Sequence, residues 1–145
     1  MFRLSEKGEQ IQQMFGAIAP RYDFLNHLLS LGIDKRWRKA AVRLIKATEN
    51  GRVLDVATGT GDLALEIAKA TPASVRITGA DFSPEMVRLG EEKVAASPFN
   101  KRIDLRVAPC EDLPFPSDTF DSVPSPLVFV MSLTVVWGWP RCGGC

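Results

Sequence analysis

The segment V-L-D-V-A-T-G-T-G-D at residues 53–62 constrains the fold more than any other part of the chain. A short apolar run contains the acidic Asp55, and Gly59 and Gly61 follow before a helical pattern begins. Glycine adopts positive φ angles without steric cost and lets a ligand approach the backbone, and the first N–H groups of a helix have no partner within it. We therefore predict a strand, a glycine turn and a helix N-terminus that bind a nucleotide-like cofactor, with Thr60 in contact beside the two glycines.

The glycine turn fits two cofactor classes. Gly59-x-Gly61-x-x-Ala64 satisfies the dinucleotide pattern, and Asp81 lies about 20 residues farther on, where that pattern places a ribose-binding acid. Asp55 favours the other class, because a carboxylate at the end of the strand attracts an amino cation and repels a pyrophosphate. S-Adenosylmethionine carries such an ammonium group and no phosphate. The alternatives are an NAD-binding oxidoreductase fragment and a non-catalytic fragment that binds a partner.

The order of the predicted elements indicates an α/β fold with a Rossmann-like parallel sheet. Strands are expected at 52–56, 75–80, 103–108 and 119–123, and helices at 62–70 and 84–96. Ser83 is the expected N-cap of the second of these helices, and Pro84 is its expected first residue. Ligands of such sheets lie beyond the carboxyl ends of the strands, which is where Asp55, Asp81 and the loop at 108–112 fall.

The first 48 residues are predicted to form a helical cap rather than part of the sheet. Two apolar stripes repeat at helical spacing, namely Ile11, Met14, Phe15 and Ile18, then Trp37, Ala41, Leu44 and Ile45. Such stripes need a partner surface, so we expect them to pack on the helices of the sheet. We also expect the cap to close over the cofactor and to form an apolar channel for a hydrophobic substrate. The predicted domains are the cap at 1–48, a Rossmann-like domain at 49–122 and a tail at 123–145.

Two motifs carry a resemblance to known families. The pattern D-V-A-T-G-T-G-D, followed by G-A-D-F-S at 79–83, resembles class I S-adenosylmethionine-dependent methyltransferases. The segment Y-D-F-L-N-H-L-L-S-L-G-I-D-K-R-W at 22–37 resembles the signature Y-D-x-x-N-x-x-x-S-x-G-x-x-x-x-W of the ubiquinone/menaquinone biosynthesis C-methyltransferases. That family often has His where this chain has Asp34. The resemblance implies C-methylation of a polyprenylated quinol, either demethylmenaquinol or the equivalent ubiquinone precursor, with S-adenosylmethionine as cofactor.

The resemblance also implies roles for individual residues. Asp81 would accept hydrogen bonds from the ribose hydroxyls, with Phe82 next to it at the cofactor. Tyr22, Asp23 and Asn26 would line the substrate side. No residue is identified as a general base, so the catalytic residues are left unassigned.

The loop that would bind the adenine departs from the family pattern. Family members have G-D-A-E-x-L-P-F where this chain has A-P-C-E-D-L-P-F at 108–115. Pro109 replaces the Asp or Asn that would reach the adenine, and proline has neither a side-chain acceptor nor an N–H. The backbone N–H of Cys110 is then the expected contact to the ring.

Composition limits the remaining function classes. The chain has 145 residues, a formal charge of +1 and 3 cysteines, so it suits one ordinary domain and has no general attraction for nucleic acid. Neither a secretion signal nor paired cysteine spacing is present in the body of the chain, which favours a reduced, cytoplasmic protein. Any membrane contact is expected to be peripheral, at the inner face, through the lipid substrate that the resemblance implies.

The composition changes abruptly after Val123. Pro124 and Pro126 are followed by an apolar run from Leu127 to Trp139 and a glycine- and cysteine-rich end. The run is shorter than the about 20 residues that a membrane span needs, and a C-x-x-C without a second pair is weak evidence for zinc. We therefore predict neither an integral membrane span nor a metal site.

A one-base deletion after the Val123 codon accounts for this tail. If each codon is taken one base earlier, Trp137-Gly138 must encode Gly and Trp139-Pro140 must encode Ala. One compatible restored sequence is V-T-V-A-F-G-V-R-D-V-V-D-R-G-V-G-L-A-E-M-W-R, which resembles the A-F-G-x-R-N-V and L-x-E-M-x-R segments of the same family. The hypothesis is that the tail is translated in the wrong frame.

The number of strands bears on stability. The family resemblance implies a sheet of seven strands, and about four are predicted before the tail. Missing strands would leave unpaired N–H and C=O groups at an edge and remove apolar surface that offsets chain entropy. We therefore expect a truncated, poorly stable and inactive form of a C-methyltransferase.

Overall fold

A parallel three-stranded sheet surrounded by helices forms the centre of the structure. The computed structural model describes residues 6–30, 33–45, 48–109 and 112–124. The elements are α1 (Glu6–Ser30), α2 (Ile33–Arg43), β1 (Arg52–Val56), α3 (Asp62–Ala70), β2 (Arg76–Asp81), α4 (Pro84–Ala95) and β3 (Ile103–Val107). The predicted α/β class is confirmed, and the elements from β1 to β3 match their expected bounds to within one residue.

The sheet has the order β1-β2-β3 with both pairings parallel. Asp55 of β1 lies opposite Gly79 of β2, and Asp81 at the end of β2 lies opposite Val107 of β3. Helices α3 and α4 make the crossovers, as parallel pairing requires. Both acidic residues therefore lie toward the carboxyl edge of the sheet.

The fourth expected strand, at 119–123, is reduced to a single parallel bridge between Val53 and Ser122. Ser122 O accepts from Leu54 N at 3.0 Å, whereas the N–H of Arg52 donates to the side chain of Asp121 at 2.7 Å instead of to a backbone carbonyl. Pro124 then has no N–H with which to extend a ladder. The bridge nonetheless places this segment beside β1, on the side away from β2.

Apolar side chains fill both faces of the sheet, as expected for parallel strands covered by helices. The main cluster includes the fully buried Val53, Ile67, Val75 and Ile77. A smaller cluster on the other face is built around Leu54, Ala80 and Ala108, with partly buried Leu113, Phe115 and Phe120 packed against it.

The start of α4 agrees with its predicted cap. Ser83 Oγ accepts a hydrogen bond from Met86 N at 3.4 Å, and Pro84 occupies the first turn. The side chain of Ser83 is fully buried, so this cap lies under the carboxyl end of β2. It fixes the direction in which the chain leaves Asp81.

Arg102 connects the end of α3 to the start of β3. Its guanidinium donates to the carbonyl oxygens of Ala68 at 2.8 Å, Pro72 at 2.7 Å and Val75 at 3.1 Å, and to Thr71 Oγ1 at 3.0 Å. These carbonyls include groups that a helix C-terminus leaves without a partner in the helix. One side chain thus satisfies acceptors on three successive parts of the chain.

Helices α1 and α2 occupy the region predicted to form the helical cap, but the first apolar stripe does not pack as expected. Ile11, Met14 and Ile18 are 47%, 55% and 36% exposed. The face of α1 that packs inward instead contains Ala19, which is 2% exposed, and Gly16, where an added Cβ would lie 3.9 Å from Glu85 Cβ of α4. Small residues allow the two helices to approach closely, and the larger apolar residues are left on the outer side.

The second stripe packs only in part. Ile45 and its neighbour Val42 pack against the main core cluster, whereas Leu44 is 74% exposed. The helix ends at Arg43, so Leu44 and Ile45 do not continue its periodicity. The side chains of Phe15 and Trp37 lie outside the described residues.

Candidate functional site

The turn that joins β1 to α3, residues 57–61, is the most constrained part of the carboxyl edge. Ala57, Gly59 and Gly61 have φ angles of 57°, 57° and 79°. Two backbone bonds hold its shape, from Thr58 N to Ala80 O and from Gly61 N to Thr58 O, both 3.0 Å. The two glycines were expected at such angles, but Ala57 was not, since an L-residue with a Cβ rarely adopts them. We refer to residues 57–61 as the glycine turn.

Asp55 lies under the glycine turn and is fully buried. Its Oδ2 accepts a hydrogen bond from Thr58 Oγ1 at 2.7 Å, whereas Oδ1 has no hydrogen-bond partner within the described part of the chain. Burial raises the pKa of Asp55 from 3.8 to about 7; the Thr58 bond opposes this rise and the nearby charge of Asp81 adds to it. A buried carboxylate with a bare oxygen needs a proton or a cation, because an unpaired buried charge is costly.

Asp81 lies at the end of β2 and closes the other side of the turn. Its Oδ2 accepts from Gly59 N and its Oδ1 from Ser83 N, both at 2.9 Å. Burial raises its pKa, and backbone N–H groups of Ser83, Gly59 and Phe82 counteract the rise. Each carboxylate oxygen has two lone pairs. Asp81 therefore both shapes the turn and retains acceptor capacity for a ligand hydroxyl.

The cofactor residues expected around the two acids occupy different surroundings. Thr60 is buried and its hydroxyl accepts from Lys93 Nζ at 2.7 Å, so its side chain faces α4. Phe82 O accepts from Gln12 Nε2 of α1 at 2.7 Å. Pro109 is half-buried at the end of the segment that follows β3, while Cys110 lies outside the described residues.

The expected substrate-side residues belong to α1. Tyr22, Asp23 and Asn26 fall within that helix, but their side chains lie outside the described residues. Their proposed role therefore stays a prediction. Among the described residues, Gln12 connects α1 to the site, because its side chain donates a hydrogen bond to Phe82 O.

Two glycines that the sequence analysis did not assign to the site bring other elements close to it. A Cβ at Gly79 would lie 2.8 Å from Thr58 Oγ1, and a Cβ at Gly90 would lie 3.1 Å from the carbonyl carbon of Thr60. Gly90 thus lets α4 approach the backbone of the glycine turn. The sequence does contain a signal for both: Gly79 interrupts a strand pattern and Gly90 interrupts a helix pattern. A glycine at such a position indicates that another part of the backbone approaches closely.

The site residues fit a ligand with an amino cation and hydroxyl groups. The bare Oδ1 of Asp55 provides an acceptor for the cation, and Asp81 provides one for a hydroxyl. Helix α3 begins after Gly61, which has no side chain to cap it, so its first N–H groups are available to a further polar group. Within residues 6–30, 33–45, 48–109 and 112–124, no three His, Cys, Asp or Glu side chains are grouped as metal ligands. Over the same ranges, no helix combines the length and apolarity of a membrane span.

The family model and the curated relatives that match this chain agree on one family. The family model described as the ubiE/COQ5 methyltransferase family matches residues 3–127. The ubiquinone/menaquinone biosynthesis C-methyltransferase UbiE of Geotalea daltonii is 67% identical over 123 residues, covering 85% of this chain and 52% of that relative. The demethylmenaquinone methyltransferase of Porphyromonas gingivalis is 49% identical over 117 residues, covering 81% of this chain and 48% of that relative. The chain thus spans about half the length of the curated relatives it matches.

Solved structures show the same fold at low sequence identity. A Methanococcus maripaludis protein assigned as an S-adenosyl-L-methionine-dependent methyltransferase has a TM-score of 0.66 at 22% identity, covering 85% of this chain and 52% of its own. The geranyl diphosphate C-methyltransferase of Streptomyces coelicolor, solved with S-adenosyl-L-homocysteine, has a TM-score of 0.57 at 15% identity, covering 62% and 33%. These likenesses establish the class I methyltransferase fold for the described domain.

Proposed function

This chain belongs to the ubiE/COQ5 methyltransferase family, and on that premise we propose that its glycine turn and two buried carboxylates bind S-adenosylmethionine for the C-methylation of a polyprenylated quinol. The observation that carries the proposal is Asp55, a fully buried carboxylate with one unpartnered oxygen beside a turn of positive φ angles. The names of the relatives support the reaction class and the quinone pathway.

In this proposal each acid recognises a different part of the cofactor. Asp55 binds the ammonium group through Oδ1, and Asp81 binds the ribose hydroxyls through its remaining acceptor capacity. Gly59 and Gly61 keep side chains away from the turn so that the backbone contacts the ligand. When bound, S-adenosylmethionine supplies an electrophilic methyl group on its sulfonium sulfur. The contribution of the chain is alignment of the reactants and exclusion of water, which together account for much of the acceleration in such transfers.

A nicotinamide dinucleotide is the competing cofactor, and electrostatics disfavour it. Two carboxylates, Asp55 and Asp81, lie at the carboxyl ends of adjacent strands, where a pyrophosphate would have to bind. The described part of the glycine turn contains no cation that would offset them; Lys93 donates to Thr60 and Asp62 on the α4 side. The site therefore suits a cationic ligand better than a doubly anionic one.

Calorimetric titration tests the cofactor assignment. S-Adenosylmethionine, S-adenosylhomocysteine and NAD are titrated into the chain and into Asp55→Asn, with Asp104→Asn as a matched control at an exposed position. We expect binding of the first two ligands, loss of at least about tenfold in affinity on Asp55→Asn, and no change on Asp104→Asn. Binding of NAD alone, or equal affinity of Asp55→Asn and the parent chain, would contradict the assignment.

A second titration and an activity assay address the tail. The same ligands are added to a chain in which the inferred missing base is restored, and methylation of a demethylmenaquinol analogue is measured in both forms. Methylation by the restored form alone would support both the family reaction and the damage attributed to the frameshift. Methylation by the chain as it stands would contradict the expected inactivity.

The exposed apolar stripe of α1 is suited to contact with the hydrophobic polyprenyl chain of such a substrate. Ile11, Met14 and Ile18 lie on the outer face of the helix whose Gln12 contacts Phe82 at the site. In this proposal the stripe contacts the polyprenyl chain at the cytoplasmic surface of the membrane, and the contact is peripheral. Co-sedimentation with lipid vesicles tests it: the double change Ile11→Ser and Ile18→Ser should abolish binding, and Gln13→Ser should not. Equal sedimentation of all three chains would refute the role of the stripe.

A further inference from the structure

A cluster of charged side chains joins three helices at the start of α3. Asp62, the first residue of α3, accepts from Arg38 Nη1 of α2 through Oδ2 at 3.1 Å and from Lys93 Nζ of α4 through Oδ1 at 2.8 Å. Lys93 Nζ also donates to Thr60 Oγ1 in the glycine turn at 2.7 Å. The side chains of Arg38, Lys93 and Asp62 are 17%, 31% and 36% exposed. A single carboxylate thus connects the helical cap, α4 and the turn.

The position of Asp62 explains why this connection bears on ligand binding. A carboxylate in the first turn of a helix is stabilised by the helix dipole, and the N–H groups of that same turn are the ones available to a ligand. Arg38 and Lys93 each occupy a different oxygen, so the loss of either leaves Asp62 free to rotate or to draw the remaining cation toward itself. Movement of Lys93 would break its hydrogen bond to Thr60 Oγ1 in the glycine turn.

The glycine turn needs such external support. It contains three residues with positive φ, one of them Ala57, and conformations of this kind persist only where the surrounding structure imposes them. Asp55 and Asp81 hold the turn from the sheet side, through Thr58 Oγ1 and Gly59 N. Lys93 holds it from the helix side, where Gly90 already brings α4 against the backbone of Thr60.

We infer that Arg38 and Lys93 are positioning residues for cofactor binding. Lys93 supports the glycine turn through Thr60, and Arg38 supports it through Asp62, which it shares with Lys93, so cofactor affinity depends on the helical cap. The inference rests on the cofactor site proposed above. The support that Arg38 and Lys93 give to the glycine turn, however, can be measured in the ligand-free protein. Arg38 belongs to α2, which carries no direct cofactor contact in the proposal. The cap is therefore part of the cofactor site and not only of the substrate side.

Two measurements on the full chain test this role. Hydrogen exchange of the ligand-free protein reports on the amides of the glycine turn, and titration with S-adenosylhomocysteine reports on affinity. Arg38→Gln and Lys93→Met should each speed exchange within residues 57–64 and weaken binding by about tenfold. The double variant should lose less than the product of the two, since both cations belong to one network around Asp62. Arg38→Lys, which keeps one charged donor, should recover part of the loss.

Controls on the same helices separate positioning from general stability. Arg36→Gln changes an exposed cation on α2, and Arg88→Gln removes exposed ion pairs to Glu85 and Glu92 on α4; neither should alter the turn or the affinity. Unchanged exchange at the turn in Arg38→Gln, or faster exchange spread evenly over the chain, would overturn the positioning role. If the parent chain bound no S-adenosylhomocysteine, the proposed cofactor assignment would be refuted. The hydrogen-exchange measurement would still show whether the charged cluster holds the glycine turn in its conformation.

Discussion

Replacing Asp55 with Asn should stabilise the ligand-free chain while weakening its affinity for the cofactor. Asn has nearly the same shape and can still accept the hydrogen bond from Thr58 Oγ1, but it carries no charge into the buried site. The carboxylate of Asp55 is held at full burial with one oxygen unpartnered, so its ionised form is disfavoured in the folded chain. The substitution removes that disfavoured charge.

The size of the effect follows from the pKa. The folded chain holds a proton on Asp55 up to about pH 7, whereas the unfolded chain releases it near 3.8, so the free energy of unfolding falls as pH rises through this interval. At pH values well above 7, the raised pKa of Asp55 lowers the free energy of unfolding by about 4 kcal/mol. The buried amide of Asn leaves donors unsatisfied, at a cost of about 1–3 kcal/mol. The net gain of Asp55→Asn should therefore be about 1–3 kcal/mol above neutrality, and it should vanish or reverse at low pH.

Urea unfolding at about pH 5 and about pH 8.5 measures this difference. Asp104→Asn, at an exposed position, serves as the control and should show no such pH dependence. A stability difference between Asp55→Asn and the parent chain that is the same at both pH values would refute the reasoning, because the effect must follow the ionisation of Asp55. The affinity of the parent chain for S-adenosylhomocysteine should rise as pH increases through about 7, since the ammonium group binds the ionised form.

Four further outcomes are expected. Ala57→Gly should raise the free energy of unfolding by about 0.5–1 kcal/mol, because glycine relieves the positive φ at that position; no gain in chemical denaturation would contradict the strain. Gly90→Ala should lower the free energy of unfolding by about 1–3 kcal/mol, since the added Cβ meets the backbone of Thr60 at 3.1 Å. An unchanged free energy of unfolding would show that α4 shifts to accommodate the methyl group and would contradict the prediction. Arg102→Met should lower the denaturation midpoint through a loss of about 2–3 kcal/mol from its carbonyl contacts, and the prediction fails if the midpoint is unchanged. Sequencing the gene should show that one added base after the Val123 codon restores the family-like segment, whereas an intact present frame shared by close relatives would end that hypothesis.

The glycine turn and the order of elements could be predicted from the sequence because their signals are local. The strand before Gly59, the cap at Ser83 and the bounds of α3 and α4 follow from neighbouring residues and their periodicity, and the structure matches them to within a residue. The strand expected at 119–123 is the exception. Asp121 N donates to Arg52 O, but the N–H of Arg52 donates to the Asp121 side chain and Pro124 has no N–H, so the pairing with β1 does not extend into a ladder. The tail hypothesis and the substrate-side residues stay predictions.

By itself, the sequence determined the strand, turn and helix that form the candidate cofactor site, together with the family to which the chain belongs, since short-range spacing and motif carry both. Only the tertiary structure decided which side of α1 packs inward, because periodicity defines a stripe but not the surface it meets: Gly16 and Ala19 pack inward and Met14 does not. It also decided that Arg38 and Lys93 share Asp62, in pairs 24 and 31 residues apart in sequence. Contacts of that range depend on how the helices cross the sheet, and no local pattern records them.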